Sequence, residues 1–261
     1  TQPKLSVVTV CRNSELTIRK TVESVLSQDY SNLEYIVIDG NSQDRTLSIL
    51  KEYSNQLSVI SEADQGYYHG ANKALKVATG EWVHFLNSDD FYANTSTLSR
   101  TVPLLKVDAL NYGSISRCFY NGTKKGLPFR YESRWPWRNK KWQFWFTTSM
   151  LHPSMILSRT VYKKIGDYSM RWQLSSDIDL ILRVLSQFPL NYIPEMSVSV
   201  LQGGMSQKQR EKSAFEFAQI TVENGFPKPL AYSVFYFKMQ ALWPLIDFFD
   251  KTDQKKNKPL Y

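Results

Sequence analysis

Residues 81–90 read Glu81-Trp82-Val83-His84-Phe85-Leu86-Asn87-Ser88-Asp89-Asp90. Trp82 to Leu86 is a short, mostly apolar run of β-rich composition, which predicts a buried strand. It passes without a spacer into four small polar residues, the last two being adjacent carboxylates. Like charges side by side repel, and burying them unpaired is costly. A divalent cation relieves the repulsion, and Mg²⁺ in particular takes one or two carboxylates supplemented by waters and phosphates. A strand ending in such a pair sets it at the carboxyl edge of a sheet, where open α/β folds bind ligands. Taken alone, the stretch is equally a solvated turn held by an Asx motif, so its surroundings must decide.

Upstream, Leu5 to Val10 reads as a buried strand followed by the polar turn Cys11-Arg12-Asn13-Ser14. Ser14 is the expected N-cap of a helix reaching Gln28, with Leu16, Ile18, Val22, Val25 and Leu26 at roughly helical spacing. Leu33 to Ile38 predicts a second strand, Thr46 to Tyr53 a second helix, and Leu57 to Ser61 a third strand. Residues 69–79 predict a third helix, with Gly80 expected at its C′ position. The alternation strand, helix, strand through residue 86 predicts a parallel sheet with right-handed crossovers. Polar clusters follow the first, second and fourth strands and should gather along one edge. No Gly-x-Gly-x-x-Gly follows the first strand and no phosphate-loop motif occurs, which disfavours a dinucleotide-binding fold or a P-loop kinase.

The chain has 261 residues, 42% of them hydrophobic, enough for a real core. Cys11 and Cys118 are too few for a disulfide framework, and a reducing compartment is the simpler expectation. The opening residues predict no secretory signal, and His and Cys show no zinc spacing. The formal net charge is +8. It concentrates at Arg117, Lys124, Lys125, Arg130, Arg134, Arg138, Lys140 and Lys141, opposed there by Glu132 alone. Aromatics, among them Trp135 and Trp137, interleave with these cations. Such a segment attracts anions or stacks on sugar rings.

In this setting the motifs acquire a pattern. Ile36-Val37-Ile38-Asp39-Gly40-Asn41-Ser42-Gln43-Asp44 resembles the second-strand motif of the family-2 glycosyltransferases. Ser61-Glu62-Ala63-Asp64-Gln65-Gly66 through Asn72-Lys73, then Leu86-Asn87-Ser88-Asp89-Asp90, is similar to a branch of that family with exopolysaccharide enzymes. Leu151-His152-Pro153-Ser154, Ser175-Ser176-Asp177-Ile178-Asp179 and Gly203-Gly204-Met205-Ser206 follow in the same order. The chain departs from the branch at His69 and Ala74, and Asn87 stands where the usual Asp-x-Asp motif begins.

The resemblance implies a GT-A type α/β fold: a Rossmann-like, mostly parallel central sheet flanked by helices. The catalytic domain is expected over 1–206, with a C-terminal helical extension and basic tail over 207–261. It implies an inverting transfer of a monosaccharide from a UDP- or GDP-sugar to a saccharide acceptor. That acceptor is expected to be lipid-diphosphate-linked, in bacterial O-antigen, capsule or exopolysaccharide synthesis. Asp177 is implied as the general base. Asp89 and Asp90 are implied as ligands of Mn²⁺ or Mg²⁺, and Thr9, Asp39, Asp64, Asn72 and Asp89 as donor-binding residues. On the acceptor side, His152 is implied by its family position, and Trp135 and Trp137 are candidates from the aromatic segment. Asp179 and His84 are expected to be structural.

Leu230 to Phe249 is aromatic and aliphatic, but Lys238, Gln240, Pro244 and Asp247 interrupt it, which argues against a spanning helix. An amphipathic helix packed on the core or lying on an anionic membrane is expected instead. The protein is therefore expected in the cytoplasm, on the inner face of its membrane. A sugar-1-phosphate nucleotidyltransferase would need a Gly-rich loop after the first strand, and Cys11–Ser14 has no Gly. The competing class is a non-catalytic polyanion or nucleic-acid binder using residues 117–146. It leaves the acidic groups at the sheet edge unexplained, so no nucleic-acid partner is expected.

Overall fold

A computed structural model describes residues 2–118, 152–201, 204–237 and 240. Trp135 and Trp137, most of the basic segment and the C-terminal tail lie outside the described residues.

Eight strands form one sheet in the order β3-β2-β1-β4-β7-β6-β8-β5. β1 (Leu5–Cys11) pairs in parallel with β2 (Leu33–Asp39) on one side and β4 (Trp82–Phe85) on the other. β2 pairs in parallel with β3 (Ser58–Ser61). Beyond β4 the directions mix. β7 (Met155–Ser158) runs antiparallel to both β4 and β6 (Leu110–Cys118). β8 (Leu190–Leu201) is parallel to β6, and the two-residue β5 (Phe91–Tyr92) closes the edge antiparallel to β8.

The chain winds from β1 outward to β3 through α1 (Ile18–Leu26) and α2 (Thr46–Lys51), then returns through α3 (Tyr67–Val77) to β4. With right-handed crossovers, that reversal puts α3 on the opposite face of the sheet. The core composition records it. Leu5, Val7, Val37 and Trp82 pack with Ile18, Val22, Val25 and Leu50. Their strand neighbours Val8, Val10, Ile38 and Phe85 point the other way and pack with Tyr68, Ala71 and Ala74, as the period of two along a strand requires. The reversal also makes the carboxyl ends of β1 and β4 the switch point of the sheet, where a ligand crevice forms.

The strand–helix alternation expected through residue 86 is present, with two local corrections. Ser14 does not cap α1 through its side chain; a tight turn over residues 15–17 precedes the helix, and the Ser14 hydroxyl faces Ser88 instead. Gly80 is not a left-handed C′ residue. A Cβ there would stand 2.6 Å from the Ser6 backbone nitrogen and 2.8 Å from the Trp82 carbonyl oxygen, so close approach of backbones selects glycine. Ser175 makes no capping bond at the start of α6 (Ser176–Gln187); its hydroxyl donates to the Ser213 carbonyl at 3.2 Å. Met155–Ser158 is a fully buried strand. Its four residues are too few to show a period. Ser158 does cap α5 (Arg159–Ile165), accepting from the Val161 N–H at 3.1 Å.

Residues 97–104 form the short α4 (Thr97–Thr101) and a 3₁₀ turn containing Pro103. Residues 190–201 form a single β8 whose pairing with β6 shifts register between Tyr112 and Ser114. At that bulge Gly113 lies against Met196, where a Cβ would meet the Met196 carbonyl oxygen at 2.1 Å. Gly113→Ala is therefore expected to destabilise the fold by about 3 kcal/mol, because backbone must move to admit the methyl. A denaturant midpoint unchanged from wild type would show that the bulge relaxes freely.

After β8 come α7 (Met205–Lys208), α8 (Arg210–Glu223) and α9 (Lys228–Phe237). On α8, Ile220 packs with Trp172 and Leu182, and Ala218 packs with Phe226 and Ala231. α9 thus rests on α8, while Leu230, Tyr236 and Phe237 remain more than half exposed.

Candidate active site

The polar loops after β1, β2 and β4 meet at the crevice. The first two are laced together: the Asn13 N–H donates to the Ser42 hydroxyl at 2.8 Å, the Ser14 N–H to the Thr46 hydroxyl at 2.7 Å, and the Glu15 N–H to Asp44 at 3.0 Å. Asn13 and Asn41 sit at positive φ (51° and 59°), a conformation asparagine tolerates. The third loop joins through the Ser14 and Ser88 hydroxyls, 3.0 Å apart.

Asp89 and Asp90 occupy this edge. Asp90 is almost fully buried. Its carboxylate accepts from the Asn87 amide at 2.8 Å and from the Leu201 N–H at 3.3 Å. Burial, reinforced by the neighbouring Asp89, holds it well above the usual carboxylate range. Asp89 is more open, and burial pushes it upward too, against the pull of Lys208. Two adjacent carboxylates resisting ionisation are the electrostatic complement of a cation. Among the described residues no group of three or more His, Cys, Asp or Glu surrounds a common point. A Mg²⁺ or Mn²⁺ ion that draws its remaining ligands from water and diphosphate needs only what Asp89 and Asp90 supply, so the residues fit such an ion.

Asp177 stands in the first turn of α6. The Tyr68 hydroxyl donates to its Oδ1 at 2.8 Å, with the Leu174 carbonyl also within reach at 3.2 Å. The loop before α6 is held from behind by α8. The buried Glu216 accepts from the Gln173 and Leu174 N–H groups at 3.2 and 2.9 Å. Asp179, two residues on, pairs with Arg183 at 2.8 Å and is structural as expected. His152 is buried, stacked on Phe85 and hydrogen-bonded to the Tyr168 hydroxyl at 2.8 Å. Burial lowers its pKa, with Asp177 acting in the opposite sense.

The remaining expected donor residues are placed differently from one another. Asp39 is completely buried. Its carboxylate accepts from the Ser42 N–H at 3.0 Å, the Ser61 hydroxyl at 2.7 Å and the Ser42 hydroxyl, so it closes its own loop. Asp64 lies beside Gly40, where a Cβ would stand 2.6 Å from the Asp64 carboxylate, and so shares the edge with Asp39. Thr9 is buried two residues before the end of β1, its hydroxyl 3.1 Å from that of Tyr35. The Asn72 amide is engaged on both sides by the Tyr168 backbone, at 2.8 and 2.9 Å, and clamps α3 to the loop ahead of α6.

Three residues of the site escaped the sequence reading. Tyr67 and Tyr68 stand inside a quoted motif, yet tyrosine at a helix start carries no signal of function. Lys208 acts on Asp89 from α7, in a segment read as lying beyond the catalytic region.

His84 is structural as expected, bridging Tyr92 and the Pro153 carbonyl. Burial pushes its pKa from 6.5 down to about 4. Between those values the unfolded chain binds a proton that the fold refuses. His84 therefore makes stability fall as pH drops through that window, by roughly 3 kcal/mol in full. Asp89 and Asp90, whose values are raised, act in the opposite sense. The expected result in an imidazole NMR titration is a His84 signal still neutral at pH 5; a midpoint near 6.5 would contradict its burial.

The sheet reversal, with acidic groups at its switch point, is the architecture of the GT-A fold. A mannosyltransferase from Pyrobaculum calidifontis, solved with GDP-Man and Mn²⁺, superposes with a TM-score of 0.65 at 18% identity, covering 93% of this chain and 72% of that one. Residues 6–166 match the family described as Glycosyl transferase family 2, and the chain belongs to it. A PGL/p-HBAD biosynthesis glycosyltransferase of Mycobacterium bovis is 25% identical over 191 residues, 70% of each chain. An Escherichia coli protein described as UDP-Glc:alpha-D-GlcNAc-diphosphoundecaprenol beta-1,3-glucosyltransferase WfaP is 36% identical over 93 residues, 35% of this chain and 37% of that one.

Proposed function

We propose that this glycosyltransferase moves a monosaccharide, with inversion, from a UDP- or GDP-sugar to a saccharide carried on a lipid diphosphate, in bacterial surface polysaccharide synthesis. The observation that carries the reading is that Asp177, in the first turn of α6, lies near enough to Asp89 and Asp90 for all three charges to act on one side chain, that of Tyr67. The acceptor hydroxyl attacks the anomeric carbon as the bond to the diphosphate breaks. Asp177 takes the hydroxyl proton, and the hydrogen bond from Tyr68 fixes which carboxylate oxygen remains free to do so. Asp89, with Asp90 behind it, would hold Mn²⁺ or Mg²⁺, which when bound neutralises charge on the departing diphosphate. Lys208 adds a second positive charge on the same side. Asp39 and Asp64 flank the place of the base; an imide N–H of uracil or guanine would replace the Ser61 hydroxyl on Asp39. Thr9 supports this wall from within, and Asn72 holds the loop that leads to Asp177.

Among the described residues no helix is long and apolar enough to cross a membrane. Leu230, Tyr236 and Phe237 are exposed apolar residues of α9, suited to peripheral contact with an anionic inner leaflet, where a lipid-linked acceptor resides.

The test is a thermal-shift panel of UDP-glucose, UDP-GlcNAc and GDP-mannose, each with Mn²⁺ or EDTA, followed by product analysis on a diphosphoundecaprenol-linked sugar. One nucleotide class should stabilise the protein only with metal and be turned over. No shift with any nucleotide sugar, together with salt-sensitive binding to nucleic acid, would replace this reading by that of a polyanion binder.

A further inference from the structure

Tyr67 opens α3 beside the catalytic crevice. Its ring meets Tyr68 edge-on at 5.2 Å and His152 edge-on at 6.2 Å. The residue as a whole is partly exposed. Its hydroxyl oxygen is sealed from solvent and, among the described residues, has no hydrogen-bond partner. A buried hydroxyl left unpaired costs roughly 1–3 kcal/mol, which is why such groups are rare and call for a cause. The neighbourhood supplies one. Tyr67 packs against Tyr68, which itself donates to the proposed base Asp177, and against His152, so its hydroxyl belongs to the wall that carries the base, and the charges of Asp177, Asp90 and Asp89 all reach it. Burial first, and then the three negative charges, keep the phenol protonated, so that it acts as a donor. No described side chain accepts from it.

We infer that the Tyr67 hydroxyl is a substrate contact, donating a hydrogen bond to an oxygen of the nucleotide-sugar donor, on its diphosphate or its sugar ring. The inference rests on the glycosyltransferase reading above and adds a residue that reads the donor. Its logic is that of a site built to hydrogen-bond a ligand: the polar group is unsatisfied until the ligand arrives, and a ligand lacking the matching oxygen leaves it so.

Tyr67→Phe removes one oxygen and keeps the ring packing. In the metal-free, ligand-free protein the melting temperature should be equal to or above that of wild type, since no native hydrogen bond is lost. With Mn²⁺, affinity for the nucleotide sugar that wild type turns over should fall about tenfold, the loss of one net hydrogen bond. Titration with the bare nucleoside diphosphate separates the two sources. Equal weakening assigns the contact to the diphosphate; wild-type affinity for the diphosphate with weakened binding of the nucleotide sugar assigns it to the ring. A Tyr67→Phe variant with wild-type affinity and rate, in a preparation whose wild type is active, overturns the contact and leaves the enzyme reading intact. A fall of several degrees in the ligand-free melting temperature also overturns it, because the hydroxyl then serves the fold. A wild type that binds no nucleotide sugar removes both readings together.

Discussion

Asp177→Asn is expected to lower the transfer rate by about a thousandfold while nucleotide-sugar binding stays within a few-fold of wild type. The substitution is nearly isosteric. The Asn carbonyl can still accept from Tyr68, whose hydroxyl stands 2.8 Å from Oδ1. Glu216 and Ser213 still hold the preceding loop through bonds that do not involve residue 177. What disappears is the basic oxygen proposed to take the acceptor proton, together with a negative charge at a helix N-terminus worth about 0.5 kcal/mol to the fold. Rate and stability therefore separate: kcat should collapse, the KM for donor should barely move, and the melting temperature should fall by a degree or two at most. Steady-state kinetics with donor varied at saturating acceptor measures this. A variant keeping a tenth or more of wild-type kcat would mean that the proton leaves by another route.

The second large effect belongs to Asp89. Its carboxylate, pushed up by burial, ionises at a cost in the metal-free fold. A group whose folded pKa lies above its unfolded value lowers stability as pH rises through the folded value. At pH 7 in EDTA, Asp89→Asn should therefore melt at or above the wild-type temperature. With Mn²⁺ and nucleotide sugar the order should reverse. Ligand at about 100 times its Kd stabilises wild type by about 2.7 kcal/mol, a shift of roughly 5–10 °C for a chain of this size, and the variant should show almost none of it. This crossing of the two melting curves distinguishes a functional carboxylate from a structural one, whose loss would lower both. Residual metal-dependent stabilisation equal to wild type would move the ion away from Asp89.

Much of the fold could be read from periodicity. β1, β2, β4, α1 and α3 are written in runs of apolar residues at spacings of two or of three to four, because each element is buried on a defined face. The elements that escaped were short or set by distant partners. β7 has four buried residues and no period to detect. The register shift that joins residues 190–201 into one strand depends on Gly113 meeting Met196, and neither residue announces the other in sequence. Gly80 looked like a helix terminator and is a packing glycine, because the contact that demands it comes from Ser6, far back in the chain.

The chemistry divides in the same way. By itself, the sequence determined which side chains carry charge and which strand ends they stand at: Asp39 at the end of β2, Asp89 and Asp90 after β4, Asp177 at the start of a helix. Residue type and distance from a strand end are local properties, so they survive in one dimension. Tertiary structure alone decided what each carboxylate faces. Asp39 is closed over by Ser42 and Ser61, Asp90 is buried behind Asp89, and Asp177 is fixed by a tyrosine 109 positions away in the chain. Lys208 and Glu216 enter the site's surroundings from helices whose sequence resembles a solvated appendage. Burial and partner identity set ionisation and free lone pairs, and both arise only when the chain closes on itself.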